Sequence, residues 1–510
     1  MGKRTFVYGA AILFAANLLN RIIGFIYQYL IMTHIGGEAY GLFHMVFPIY
    51  MMALVLTTAG VPIAISKMVS EAISLNRLAR AQHIFRLALT FLTISGGLVA
   101  LSLYFISPYL AHRLFPDPRV LNIFLVCTPA IFVVSISSGF RGYFQGVQNM
   151  VPTALSQICE QVVRVLVGFS SALILSPRGA EWAAIGLALG MLAGEIMGLI
   201  IIFILYTLKR IKPSQAEPPT QSAHIFKELF SLSSPVTAGR LIATGLSSLD
   251  AVLIPQRLQI AGYTAREATT LFGQLGGSAF TLLSFPSVFT FALAASLVPS
   301  ISEASARNQY QIVKMRSSEA IRLTLLIGTP SLLILFYFAA PLTAFFKSES
   351  IAPILRILAL GGIFSYLQQT TTGILQGLGK FYLPVINSII SGLLRIPVLY
   401  YLTAQPTWGL SGTAVSYVLG YLIMALLNMG ALIRYTGMMI DLPRFILQPL
   451  SAGIAMMLLF RMLSIMPQPW IIPLQLFFGS AAYIVILFLN GGVTFRDLRK
   501  LPWIGKYIPF

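Results

Sequence analysis

The sequence predicts an all-α integral membrane protein of about fourteen transmembrane helices: two pseudo-symmetric six-helix lobes, then two further helices. Three observations carry this reading. Of 510 residues, 57% are hydrophobic and only 10% charged, where a soluble domain carries about 25% charge. The apolar residues gather in runs of about 20, the length that crosses a bilayer core as a helix. Two blocks of six such runs share short motifs at matching places.

Taken in order, runs bounded by charge, Pro or Gly cover residues 6–32, 40–66, 84–110, 119–146, 153–176, 182–207, 229–256, 270–298, 318–346, 351–377, 383–403, 409–435, 444–465 and 470–491. The first run is longer than a signal-peptide apolar core, so it reads as a true span. The runs beginning near 270 and 444 are the weakest. The longest polar interruption, KRIKPSQAEPPTQSAH at 209–224, has the composition of a flexible linker. The expected organisation is a first lobe at 1–208, a cytoplasmic linker at 209–228, a second lobe at 229–436, and the last two spans with a tail at 437–510.

The formal net charge is +19. In a soluble chain that would suggest nucleic acid. Here the basic residues lie mostly in short loops, where the positive-inside rule and anionic headgroups account for them. With the N-terminus placed inside, the outer loops hold only Arg113, Arg119, Arg178, Arg257, Arg266 and Lys347. Most other Lys and Arg residues fall inside, which places both termini in the cytoplasm.

The blocks read as repeats. GYFQGVQNMVP (142–152) resembles GILQGLGKFYLP (373–384), each following the fourth span of its block. QVVRVLVG (161–168) lies over GLLRIPVL (392–399), GVPIAISK (60–67) over LVPSISEA (297–304), and NRII (20–23) over GRLI (239–242). Each block has an even number of spans, so the copies share an orientation and their axis runs along the membrane normal, as in parallel-repeat transporters.

Charges within spans mark function or pair with each other. They are Arg21, Glu160, Arg164, Glu195, Arg240, Asp250 and Arg395. The repeat relates Arg164 to Arg395, and Arg21 to Arg240. Two arginine pairs about a pseudo-two-fold axis would ring a cationic cavity, and the guanidinium fork suits phosphate oxygens. Asn17 and Gln28 belong to a set of polar residues that suits a hydrated cavity. Glu195, Asp250 and Glu160 are the residues that an ion-coupling step would use. A plainer alternative stays open: Glu160 is one turn before Arg164 and the two neutralise each other on one helix face.

No catalytic motif is present: no GxxxxGK[ST], HExxH, CxxC or GxSxG. The sequence therefore predicts a transporter, not an enzyme, with no catalytic residue, no metal site and no bound cofactor. Energy would come from an Na+ or H+ gradient, the membrane potential or the substrate gradient. Cys127 and Cys159 both lie in apolar runs and read as small buried hydrophobes.

RIIGFIYQYLIMTHIGGEAYGLFHMVFPIYMMALVLTTAGVPIAISKMVSEA (21–72) resembles the opening of the stage V sporulation protein B family. That family is the polysaccharide-biosynthesis branch of the multidrug/oligosaccharidyl-lipid/polysaccharide exporter superfamily. The Arg-Ile-x-Gly-Phe start, the Ile-Gly-Gly-Glu loop, the end of the second span and the Gly-x-x-Gln-Gly turns carry the resemblance. It implies two six-helix lobes with alternating access to a central cavity. It also implies transfer of an undecaprenyl-linked sugar, foremost a peptidoglycan precursor, to the outer leaflet of a bacterial cytoplasmic membrane. The prenyl tail would stay in lipid, along a groove beside the last two spans. The implied partners are the lipid-linked sugar, membrane lipids and cell-wall synthases, and no nucleic acid. Lipid II flippases of the superfamily resemble Arg-x-x-Gly-Phe-x-Arg-Asp in the first span. Arg21, Gly24 and Phe25 match, but Tyr27 and Gln28 stand where the second Arg and the Asp would be, which favours the sporulation branch. The rival readings are an exporter of teichoic-acid or exopolysaccharide precursors, a cation-coupled small-molecule exporter, and a non-transporting scaffold.

Overall fold

A computed structural model describes residues 3–58, 60–210, 222–438, 441, 443–464 and 471–493. The core of the expected linker, 211–221, and the basic C-terminal segment, 494–510, lie outside the described residues. The first span is α1 (Lys3–Leu30), which runs into a π-helical turn at Ile31–Ile35. The second is split. α2 (Gly37–Thr58) gives way to α3 (Val61–Ser74), whose first turn holds Pro62, a residue with no N–H to leave unsatisfied there. α4 (Leu78–Arg113), α5 (Val120–Gly146), α6 (Val151–Leu175) and α7 (Ala180–Lys209) follow as single helices.

α8 (Ser222–Ile260) has 39 residues, about 58 Å at 1.5 Å per residue. It starts inside the stretch expected as linker. The reason is packing: Ile225 and Leu229 are buried with Val69 of α3 and Ile84 and Phe85 of α4. The eighth span is in pieces: α9 (Ala265–Gln274), a π-helical turn at Leu275–Ala279, α10 (Phe280–Ser284) and α11 (Ser287–Ala306). Then come α12 (Tyr310–Tyr337), α13 (Ala339–Phe345), α14 (Ala352–Gly377), α15 (Tyr382–Thr403), α16 (Leu410–Thr436), α17 (Gln448–Leu463) and α18 (Ile471–Leu489). Among the described residues, thirteen helical segments are long and apolar enough to cross a membrane. α1 adds a further helix of 28 residues, in line with about fourteen spans.

The chain divides into two compact units. One holds Met1–Thr281, Phe345–Ser348 and Tyr400–Leu410, the other Leu282–Ala344, Glu349–Leu399 and Ser411–Phe510. In the first, α6 and α7 form the closest pair. Gly186, Gly190, Gly194 and Gly198 fall every fourth residue along α7, and this glycine row faces α6. A Cβ on Gly190 would collide with the Gly168 backbone, and one on Gly194 would lie 2.8 Å from the Glu160 carbonyl oxygen. Small residues at this spacing let membrane helices meet backbone to backbone.

The Gly-x-x-Gln-Gly motifs form a repeated packing joint. A Cβ on Gly142 would lie 2.8 Å from the Pro62 carbonyl oxygen, and one on Gly146 2.9 Å from that of Ser66. In the other unit, a Cβ on Gly373 would lie 2.8 Å from Ala294 Cβ, and one on Gly377 3.0 Å from the Val298 carbonyl oxygen. Ser66, rather than Val61, therefore plays the part of Val298. The glycines, not the Val-Pro match between 60–67 and 297–304, set the structural register of α3 and α11. Gly146→Ala or Gly377→Ala should cost about 1–3 kcal/mol by overpacking, read as a lower melting temperature in detergent. Unchanged melting would show that the joint has slack.

In the second unit, hydrogen bonds pin α17 to α18 at both ends. Gln448 Nε2 donates to the Asn490 carbonyl (2.9 Å), and Asn490 Nδ2 to the Gln448 carbonyl (3.1 Å). At the other end the Phe460 carbonyl accepts from Gln475 Nε2 (2.8 Å) and from the Tyr337 hydroxyl of α12 (3.1 Å).

Candidate functional site

The first unit holds a buried charge network. Arg164 projects from α6, and its Nη2 donates to Glu160 Oε1 at 2.7 Å and to Glu195 Oε1 of α7 at 2.6 Å. The second oxygen of Glu160, Oε2, accepts from Arg141 Nη2 of α5 at 2.6 Å. Two arginines and two glutamates thus run Arg141–Glu160–Arg164–Glu195 with no net charge. Glu195 is 7% exposed, and a carboxylate so placed needs a partner of opposite charge. The α7 glycine row supplies the geometry, because Glu195 follows Gly194, which packs against the Glu160 backbone of α6. The Tyr27 and Tyr50 rings lie within electrostatic reach of Arg164, with the Tyr27 hydroxyl set against Gly168.

The repeat-related arginine has different surroundings. Arg395 of α15 is 8% exposed. Its guanidinium carbon lies 4.5 Å from the centre of the Tyr417 ring of α16, a cation–π distance. Ser391 stands one turn before it, where Glu160 precedes Arg164, and donates to the Gly420 carbonyl at 2.7 Å. Carboxylates surround the first arginine and an aromatic face covers the second.

The other sequence-predicted residues are spread out. Asn17 and Arg21 lie on an exposed face of α1, and Gln28 is half-buried. A Cβ on Gly277, in the π-helical turn after α9, would lie 2.7 Å from Gln28 Nε2. Arg240 is exposed on α8, while Asp250 of the same helix is 7% exposed. The structure therefore gathers Arg164, Glu160 and Glu195. It places Arg21, Asn17 and Arg240 on exposed faces of the first unit and buries Arg395 in the second. Arg141 is not among the within-span charges that the sequence singles out. Its tie to Glu160 depends on how α5 meets α6, which no local pattern encodes.

The second unit carries an apolar groove of about 480 Å³ between α12 and α17. Leu325, Leu333 and Tyr337 form one wall, and Leu450, Ile454 and Met457 the other. Arg461 is the charged residue lining it.

Comparison with known proteins agrees with this fold. The family model for polysaccharide biosynthesis protein matches residues 6–304, and the MatE model matches 276–401. The chain is 32% identical to stage V sporulation protein B of Bacillus subtilis (strain 168), covering 100% of both chains. It is 24% identical to the lipid II flippase MurJ of the same organism, over 84% of this chain and 82% of that one. Among solved structures, an inward-facing multidrug resistance MATE family transporter of the MOP superfamily superposes with a TM-score of 0.69 at 16% identity, covering 82% of this chain and 94% of that one. The chain thus belongs to the polysaccharide biosynthesis protein family and is a multi-pass membrane transporter of the multidrug/oligosaccharidyl-lipid/polysaccharide superfamily.

Proposed function

We propose that this transporter is a flippase. It carries an undecaprenyl-diphosphate-linked sugar, a peptidoglycan precursor of the lipid II kind, from the inner to the outer leaflet of a bacterial cytoplasmic membrane. Both termini face the cytoplasm, and two six-helix lobes, 1–208 and 229–436, alternate access to the headgroup. Arg21 and Arg240, exposed on α1 and α8, take the diphosphate. Arg164 already holds two carboxylates and would have to release one to meet a phosphate, so it supports α6 and α7 instead.

The observation that carries the reading is the groove between α12 and α17. Its walls are almost wholly aliphatic and aromatic, and Arg461 is the charged group lining it. That is the chemistry of a long hydrocarbon bearing an anion. The likeness to stage V sporulation protein B over the whole chain, and to a lipid II flippase over most of it, supports the same substrate class.

A photoreactive prenyl diphosphate tests it. The probe should crosslink to α12 and α17 in the purified protein, and excess lipid II should compete it away. Labelling elsewhere, or labelling that lipid II leaves untouched, would reject the peptidoglycan reading. Competition by a teichoic-acid or capsule precursor instead would move the substrate to that class.

A further inference from the structure

A second charged cluster lies outside the network above. Glu38 opens α2, and its two oxygens have separate partners. Oε1 accepts from Arg119 Nη1 and Oε2 from Arg266 Nε of α9, both at 2.8 Å. Arg119 also grips Asp117, with Nη2 donating to Oδ2 at 2.7 Å and Nε to Oδ1 at 3.0 Å. Hydrogen bonding to Asp117, and then to Glu38, outweighs burial and raises the Arg119 pKa above its ordinary value. Asp117 is 2% exposed and also accepts from the Thr269 hydroxyl of α9 at 3.2 Å.

Beneath these bonds the two backbones touch. A Cβ on Gly41 would collide with the Thr269 carbonyl, and one on Gly273 with that of Gly37. α9 has the form of a separate jaw. It has only ten residues, and a Thr264–Glu267 capping box fixes its start. A π-helical turn containing Gly276 and Gly277 follows its end, and such turns often mark functional sites. The chain leaves the first unit just beyond this turn, at Thr281. α9 is the outer part of the eighth span, so it belongs by sequence to the second block, yet it is fastened to α2 of the first.

We infer that α9 is an outer latch, with Glu38 as its shared catch, and that each transport cycle must release it. The loops bearing Glu38, Asp117 with Arg119, and Arg266 precede or follow spans of the same parity, so all lie on one membrane side. The charge distribution makes that the outer side. This inference rests on the flippase reading for its role in a cycle, but the latch itself has an independent readout. Breaking the catch removes two charge-assisted hydrogen bonds while the glycine seam stays intact, so the jaw should open more often without unfolding.

The test uses Thr269→Cys, at a site 0% exposed, and a membrane-impermeant maleimide added from outside. Adding Glu38→Gln should speed labelling by about 10-fold, the equivalent of about 1.4 kcal/mol from weakened charge-assisted bonds. Equal labelling rates in well-folded protein, checked by a monodisperse elution profile, would overturn the latch. In a second arm, a disulfide between Gly37→Cys and Thr270→Cys should block outward transfer and a reductant should restore it. Transfer that continues with the disulfide closed would also overturn it. If the wild type moves no lipid II, the flippase reading fails while the labelling arm still judges the latch.

Discussion

Arg21→Ala and Arg240→Ala should each cut outward transfer of the lipid-linked sugar by about 10- to 100-fold, the worth of one charge-assisted hydrogen bond of about 1.5–3 kcal/mol. Both side chains are exposed on α1 and α8, so their removal leaves no cavity. Expression and melting temperature should therefore match the wild type. Lysine at either position should recover only part of the rate, because it keeps the charge but loses the planar fork that meets phosphate oxygens in pairs. The measurement is the rate of transfer in vesicles, normalised to folded protein. Full activity in both alanine variants would remove these arginines from the site.

Arg164→Ala should act in the opposite way, through stability. It strands Glu195, held by that guanidinium at 2.6 Å, and leaves Glu160, held by it at 2.7 Å, with Arg141 as its remaining ion-pair partner. Removing one member of a buried ion pair costs about 3–5 kcal/mol. A large fall in melting temperature is expected, partly reversed by adding Glu195→Gln, since that removes a charge left without its partner. A melting temperature equal to the wild type would show that the network carries no structural load. Glu195→Gln alone separates two roles for the acid. If Glu195 only holds Arg164, the variant loses some stability and keeps the dependence of transport on an imposed ion gradient. If Glu195 couples an ion, that dependence disappears.

The spans were legible because lipid imposes a length and an apolarity that each segment must meet alone. What tertiary packing decides was not legible. The start of α8 at Ser222 follows from burial of Ile225 and Leu229 against α3 and α4, contacts that hydropathy along the chain does not contain. The breakup of the eighth span into α9, a π-helical turn, α10 and α11 leaves no periodic signal either, since a π turn only slips the backbone by a residue. The Gly-x-x-Gln-Gly repeat was readable as sequence, but its packing register needed the glycine contacts. In the charge network, Glu160 and Arg164 were readable as partners because one helical turn separates them. Arg141 and Glu195 join the same network from α5 and α7, and their places depend on helix pairing. Glu38 and Arg266 are farther apart still, separated by 228 in residue number.

The central claim is outward movement of a peptidoglycan precursor, and leaflet-specific detection of lipid II tests it most directly. Vesicles with and without the protein would receive lipid II in one leaflet, and an impermeant reagent would report its arrival in the other. Protein-dependent transfer that falls at least about 10-fold in Arg21→Ala, on the scale of one lost charge-assisted bond, is the expected result. Equal transfer with and without folded protein would contradict the account.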